Sequence, residues 1–233
     1  MAVSAAGFPV PTTWREVFAD AEHTAIIIMD HQPYIMRRNS GELAAEMLAR
    51  SARVLARARK EGILICHVNV RFSACVAGGR GCVWLPCQRG RRAARAPGAG
   101  HPEISPASKF QAPLKASGSL VDGTPDAGFC AEVAPLAGEP VFIKRRVGAF
   151  SSTDLECVLR ARGVRHLVLF GHSTGGCVLS TTRAAADNDY LITVFADCCS
   201  DGTRAVACAR GCCVVVSGGG GHMHRRGRSR ARS

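Results

Sequence analysis

No run of apolar residues in this sequence approaches the roughly 20 that a membrane-spanning helix needs, so no membrane segment is expected. The opening stretch, MAVSAAGFPVPTTWREVF, has neither the basic n-region nor the continuous h-region of a secretory signal, and a cytoplasmic protein is the expectation. Without an oxidising compartment, the twelve cysteines read as free thiols rather than as a disulfide framework. Acid is also missing, but only locally. Residues 71–102 hold six arginines and no Asp or Glu, and residues 202–233 hold seven arginines and none. Setting these thirteen aside from the 30 Lys and Arg leaves 17 against 18 acidic residues, so the formal charge of +12 resides in two segments and the rest of the chain is close to neutral. The C-terminal segment lacks interleaved aromatics and any folded reader motif, so specific nucleic-acid binding is not expected.

What is present fits one soluble domain: 233 residues, 47% of them apolar, suffice for a sizeable core. The basic segments stand apart from it. Residues 73–100 combine Gly, Arg, Cys and Ala with little periodicity and read as an insertion loop or as translated non-coding sequence. Residues 202–233 read as a largely disordered tail, although CCVVVSG within it has the pattern of a weak last edge strand. Cys208, Cys212, Cys213, His222 and His224 form a weak candidate zinc set, because His-x-His is shorter than the usual spacing.

Strand and helix patterns alternate along the remaining chain. TAIIIMD (24–30), ILICHVNV (63–70), PVFIK (140–144), RHLVLFG (165–171) and YLITVFAD (190–197) are β-rich apolar runs of the kind covered on both faces in a parallel sheet. Between them, residues 41–62 carry Leu43, Met47, Leu48, Val54, Leu55 and Ala58 on one helical stripe with Gly62 as a stop. Thr153 and Glu156 predict a capping box that opens a second helix ending at Gly163, and a third helix is expected over 177–188. Residues 101–140, rich in Pro and Gly, resist assignment. The pattern predicts an α/β fold: a mostly parallel sheet in a three-layer α/β/α sandwich of Rossmann-like type, occupying residues 1–201.

In such sheets ligands bind outside the carboxyl ends of the strands. Asp30 ends the first strand, Lys144 the third, and Cys177 follows the fourth, behind Gly175 and Gly176. Singly, each has an ordinary explanation as a turn residue, a solvated cation or a small buried hydrophobe. Together they offer a base, a cation and a nucleophile at one edge. A helix N-terminus at Cys177 is expected to lower the thiol's pKa and to present free N–H groups to an oxyanion.

These stretches, AIIIMDHQ, FIKRRVGAFSSTDLECVLRARGV and LFGHSTGGCVLSTTRAAADNDY, resemble the isochorismatase-like cysteine hydrolases. That family has a strand ending in Asp, a strand ending in Lys before AF-x-x-T-x-L, and G-x-x-T-x-x-C-V after a further strand. The resemblance covers roughly residues 22–72 and 101–201. It implies the isochorismatase-like hydrolase fold, with Cys177 as nucleophile, Asp30 as proton acceptor and Lys144 as the cation that orients Asp30. It also implies a cis peptide between His172 and Ser173, with the N–H groups of Ser173 and Cys177 as the oxyanion hole. The implied activity is hydrolysis of a small amide or related C–N bond through a cysteine thioester, with no cofactor. Nicotinamidases of the superfamily carry a metal-binding Asp and two His after the second strand, whereas CHVNVRF offers only His67, so no catalytic metal is expected.

Two other readings stay open: vinyl-ether hydrolysis that does not use the cysteine, and a non-catalytic binding or scaffold protein on the same fold. The small-molecule substrate itself is not named by the sequence. Its pocket is expected to draw on residues 101–140 and on Tyr34, Phe150 and Thr174, with a partner subunit of a homodimer or higher homo-oligomer as a further source of walls.

Overall fold

A computed structural model describes residues 19–38, 41–73, 101–105, 107–109, 111–201 and 214–216. The expectations for 74–100, and for the cysteine and histidine set between 208 and 224, lie outside the described residues. The chain runs β1 (Thr24–Met29), α1 (Pro33–Arg37), α2 (Gly41–Lys60), β2 (Leu64–Val70), α3 (Ala112–Ser117), β3 (Val141–Lys144), α4 (Leu155–Ala161), β4 (His166–Gly171), α5 (Leu179–Asp187), β5 (Leu191–Phe195) and β6 (Val214–Val216). Single 3₁₀ turns at Pro125–Ala127 and Ala131–Val133 organise part of the stretch that resisted assignment. Among the described residues, no helix is long and apolar enough to cross a membrane.

The strands form one sheet in the order β3-β2-β1-β4-β5-β6, and every neighbouring pair is parallel. β6 lies within the segment expected to be a tail. There Val214, Val215 and Val216 pair with Thr193, Val194 and Phe195 of β5, so the sheet draws on residues beyond 201.

Why the apolar runs are continuous is visible in the two cores. Ile26, Ile28, Val168 and Phe170 point to one face and pack on Met47, Leu48, Leu55 and Ala58 of α2. Ala25, Ile27, Met29, Leu167 and Leu169 point to the other and pack on Leu155 and Leu159 of α4 and Ala185 of α5. Successive residues of a strand face opposite ways, so a central strand sandwiched between helices favours apolar residues along its whole length. Each fully buried Leu or Ile contributes about 1.5–3 kcal/mol relative to exposure, and all six residues of β1 and of β4 are buried.

Two local expectations need correction. The Thr153/Glu156 capping box does not form: α4 begins at Leu155, with Asp154 at the N-cap position and no side-chain cap. Thr153 Oγ1 donates to Ala149 O at 2.6 Å and accepts from Leu155 N at 3.4 Å, and Glu156, one position too early for the box, pairs with Arg160 at 2.7 Å. The third helix is likewise not α-helical from Cys177. Thr174–Val178 is a π-helical turn, and α5 starts only at Leu179.

Candidate active site

The strand order reverses direction between β1 and β4, and the crevice at the carboxyl end of such a switch point is where open parallel sheets hold ligands. All three residues singled out from the sequence meet there. Asp30 leaves β1 with φ +56, a left-handed conformation that Asp tolerates better than most side chains. Its N–H donates to Val68 O at 2.8 Å. Its Oδ1 accepts from Val70 N at 2.9 Å, and its Oδ2 accepts from Lys144 Nζ at 2.7 Å. Because β2 lies between β1 and β3, the Asp30–Lys144 pair bridges the end of β2.

Both charges are out of water, with Asp30 4% and Lys144 2% exposed. Burial pulls the Lys144 ammonium down, but the Asp30 carboxylate and Cys177 beside it outweigh that and hold it above its ordinary value. Cys177 arrives from the β4 side. Its Sγ lies 3.5 Å from Met29 Sδ, near enough to Asp30 and Lys144 for both charges to act on the thiol. The thiol is not the acidified one expected of a helix N-terminus. Burial pushes it up to about 12; Lys144 pulls it back only in part, and Asp30 adds to the rise. The resting group is therefore a thiol with a carboxylate at hand, rather than a preformed thiolate.

The turn that carries Cys177 is built by close approach. Gly171 has φ +146, and a Cβ placed there would sit 2.2 Å from Met29 O. Only glycine lets the end of β4 press against the end of β1 in this way. His172 N then donates to Met29 O at 3.1 Å, and the His172–Ser173 peptide is cis. Ser173 shapes the π turn: its Oγ accepts from Gly176 N at 3.2 Å and its carbonyl from Val178 N at 3.0 Å. Thr174 N is engaged by Ser200 O and Gly175 N by Asp201 Oδ2. Below the turn, Thr181 Oγ1 donates to Cys177 O at 2.7 Å and accepts from Ala149 N at 3.0 Å, tying the segment after β3 to the cysteine turn.

The pocket residues expected from the sequence separate. Thr174 opens the π turn and is half-buried. Tyr34 lies on α1 and lines a cleft with Arg37, Arg38 and Ser119. Phe150 stacks on Tyr190 with ring centres 6.2 Å apart and packs against the core on the side of α4 and α5. His67, the lone histidine of the second strand, is bound to Glu139 at 2.8 Å within β2. Among the described residues, no cluster of three or more His, Cys, Asp or Glu is arranged to hold a metal ion.

Sequence reasoning missed Gln32 and Thr181. Gln32 is fully buried. Its amide donates to Val70 O at 3.0 Å and to Ala127 O at 2.8 Å, and its Oε1 shares Val70 N with Asp30. A polar residue two positions past a strand-end Asp, and a Thr four positions past the cysteine, were the available signals.

Comparison with known proteins gives the family. The family model for the isochorismatase domain matches residues 24–209. Over 151 residues the chain is 33% identical to maleamate amidohydrolase of Pseudomonas putida KT2440, covering 65% of this chain and 58% of that protein. Over 152 residues it is 34% identical to ureidoacrylate amidohydrolase RutB of Variovorax paradoxus S110, covering 64% and 54%. The matches thus span under three fifths of these relatives. A crystal structure of an isochorismatase family protein from Desulfovibrio vulgaris superposes with a TM-score of 0.58 at 27% identity, covering 78% of this chain and 84% of that one.

Proposed function

The chain belongs to the isochorismatase family, and from that premise we propose that it hydrolyses a small amide or related C–N bond through a thioester on Cys177. The observation that carries this reading is the burial of Asp30, Lys144 and Cys177 together, with the Lys144–Asp30 pair at 2.7 Å and the thiol within electrostatic reach of both. Two relatives bearing the name amidohydrolase point the same way.

In this reading the Cys177 thiol attacks the amide carbonyl as its proton passes to Asp30. The S–C bond forms while the C=O becomes a tetrahedral oxyanion. Thr174, Gly175, Gly176 and Val178 already donate to protein acceptors, so the oxyanion is assigned to the N–H groups of Ser173 and Cys177. Collapse breaks the C–N bond, and the amine departs with the proton held by Asp30. Water then attacks the thioester, Asp30 takes its proton, the C–S bond breaks, and the proton returns to Sγ with release of the carboxylic acid. Lys144 orients the Asp30 carboxyl group through its 2.7 Å contact with Oδ2. Because the resting thiol is protonated, proton transfer accompanies attack instead of preceding it.

The test is turnover of a panel of small amides, ureides and isochorismate by wild type and Cys177→Ala. The expected outcome is amide hydrolysis that falls by on the order of a thousandfold or more in the variant, with a mass shift on Cys177 when the reaction is quenched early. Full retention of isochorismate cleavage by Cys177→Ala would overturn the thioester reading. No turnover of any panel member by folded wild type would instead favour a binding role.

A further inference from the structure

Two glycines leave the cysteine turn pliable, and its restraint comes from outside it. Gly175 and Gly176 precede Cys177, and neither has a side chain to narrow its backbone freedom. The segment that follows β5 supplies the restraint. Ser200 N donates to Gly171 O at 3.3 Å, and Ser200 O accepts from Thr174 N at 3.0 Å. Ser200 Oγ and His172 Nδ1 share a hydrogen bond of 3.0 Å. Asp201, half-buried, accepts from Gly175 N through Oδ2 at 2.9 Å. Four hydrogen bonds from two consecutive residues therefore span Gly171 to Gly175, the stretch that leads from β4 to the cysteine.

These bonds sort the N–H groups of the turn. Thr174 and Gly175 are engaged by Ser200 O and Asp201 Oδ2, and Gly176 and Val178 by Ser173 Oγ and Ser173 O. The two N–H groups assigned to the oxyanion, those of Ser173 and Cys177, lie on either side of the engaged stretch from Thr174 to Gly176. Gly175 is the middle residue of that stretch, so whatever holds it sets how the two donors stand relative to each other. Ser200 reaches the backbone of the turn only through its own backbone, whereas Asp201 does so through a side chain that substitution can remove. Asp201 also belongs to the catalytic edge electrostatically: burial lowers the His172 imidazole, Asp30 and Asp201 each pull it back in part, and Arg38 adds to the fall.

Oxyanion donors act only when aimed at the place where charge develops, and a misplacement of about 1 Å costs on the order of a hundredfold in rate. We propose that Asp201 is a positioning residue for the oxyanion hole: by holding Gly175 N it fixes the aim of the Ser173 and Cys177 N–H groups. It acts through the backbone of the turn and not on the substrate. The role requires an acceptor at this place but no charge, so an amide oxygen serves as well as a carboxylate. The inference rests on the thioester reading, yet the restraint itself can be measured without turnover.

Two measurements on the full-length protein test it, with Asp201→Ala and Asp201→Asn as variants. In the first, amide hydrogen exchange is followed by mass spectrometry in the peptide that covers the cysteine turn. Exchange there quickens by about tenfold or more in Asp201→Ala and stays near wild type in Asp201→Asn, while peptides from β1 and α4 are unchanged. Equal exchange in the turn of all three proteins overturns the restraint, and faster exchange throughout the sheet makes Asp201 a general stabiliser and overturns its positioning role. In the second, kcat and KM are compared for an amide that wild type turns over. Asp201→Ala lowers kcat by about tenfold or more with KM little changed, and Asp201→Asn restores most of kcat. A loss confined to KM would place Asp201 on the substrate, and an Asn variant as impaired as the Ala variant would make charge its active property; either result overturns the proposal. Should no amide turn over with folded wild type, the exchange measurement decides alone: quickening in Asp201→Ala that Asp201→Asn relieves sustains the restraint although the hydrolase reading fails, and no quickening overturns it.

Discussion

Asp30 and Val70 are joined at the carboxyl ends of neighbouring strands by a side-chain to backbone hydrogen bond of 2.9 Å, and this bond leaves only one oxygen of the carboxylate for Lys144. Asp30 therefore has two jobs, one structural and one electrostatic, and the two can be separated by substitution.

Asn at position 30 keeps an oxygen for Val70 N but removes the charge. Asp30→Asn then leaves the buried Lys144 ammonium without its partner, which costs about 3–5 kcal/mol. Adding Lys144→Met should return part of that stability while turnover stays lost. Chemical denaturation of the two single variants and the double variant measures the coupling. Additive losses would show that the pair does not act as a unit.

Gly171→Ala is expected to destabilise strongly, by about 3 kcal/mol or more, because a Cβ 2.2 Å from Met29 O forces the ends of β1 and β4 apart. Since His172 and Cys177 follow on the same turn, turnover should fall with it. A melting midpoint within a degree or two of wild type would contradict the close approach.

Thiol reactivity should follow exposure and protonation rather than catalytic promise. Cys157 is exposed, whereas Cys177 is 3% exposed and its thiol is raised to about 12. Limiting iodoacetamide at pH 7, followed by peptide mapping, should label Cys157 well before Cys177. Rapid, selective labelling of Cys177 under these conditions would mean that its thiolate is already formed.

Mild acid should weaken the fold. His31 hydrogen-bonds to Met29 O and Ser51, and His166 lies between Thr24 and Thr193. Burial lowers both imidazoles from 6.5 to about 4. Each is a depressed group, so its contribution is present above pH 6.5 and is lost as pH falls from 6.5 through about 4, where the unfolded chain binds the proton first. Melting midpoints taken at half-unit steps from pH 7.5 to 4 should decline across that window. His166→Gln should flatten the decline, and an unchanged slope would remove His166 from the account.

How much of this was legible beforehand depends on what kind of pattern carries it. β1, β2, β3, β4 and β5 were readable because strands covered on both faces favour long, mostly apolar runs, and that preference is written locally. Glu139 shows the opposite case. It holds Arg59 bidentately at 2.7 and 3.0 Å and His67 at 2.8 Å, joining residues 72 and 80 positions apart, and nothing in the local sequence around any of the three announces it. The capping box failed because the helix starts at Leu155, one residue later than the spacing assumed, which leaves Glu156 at the second helical position instead of the third.

By itself, the sequence determined the alternation of strands and helices, and it placed Asp30 and Lys144 at strand ends and Cys177 after β4, because hydrophobic periodicity and turn residues act over a few positions. Tertiary structure alone decided the strand order that brings those ends together. It also decided the π turn beneath Cys177, the clamp of Gln32 on the Asp126 loop, and the protonation of the thiol. The sign of that last effect depended on how deeply the sulfur was buried. Loss of water around Cys177 outweighs the Lys144 ammonium beside it, and desolvation is a property of the packed molecule that no stretch of sequence carries.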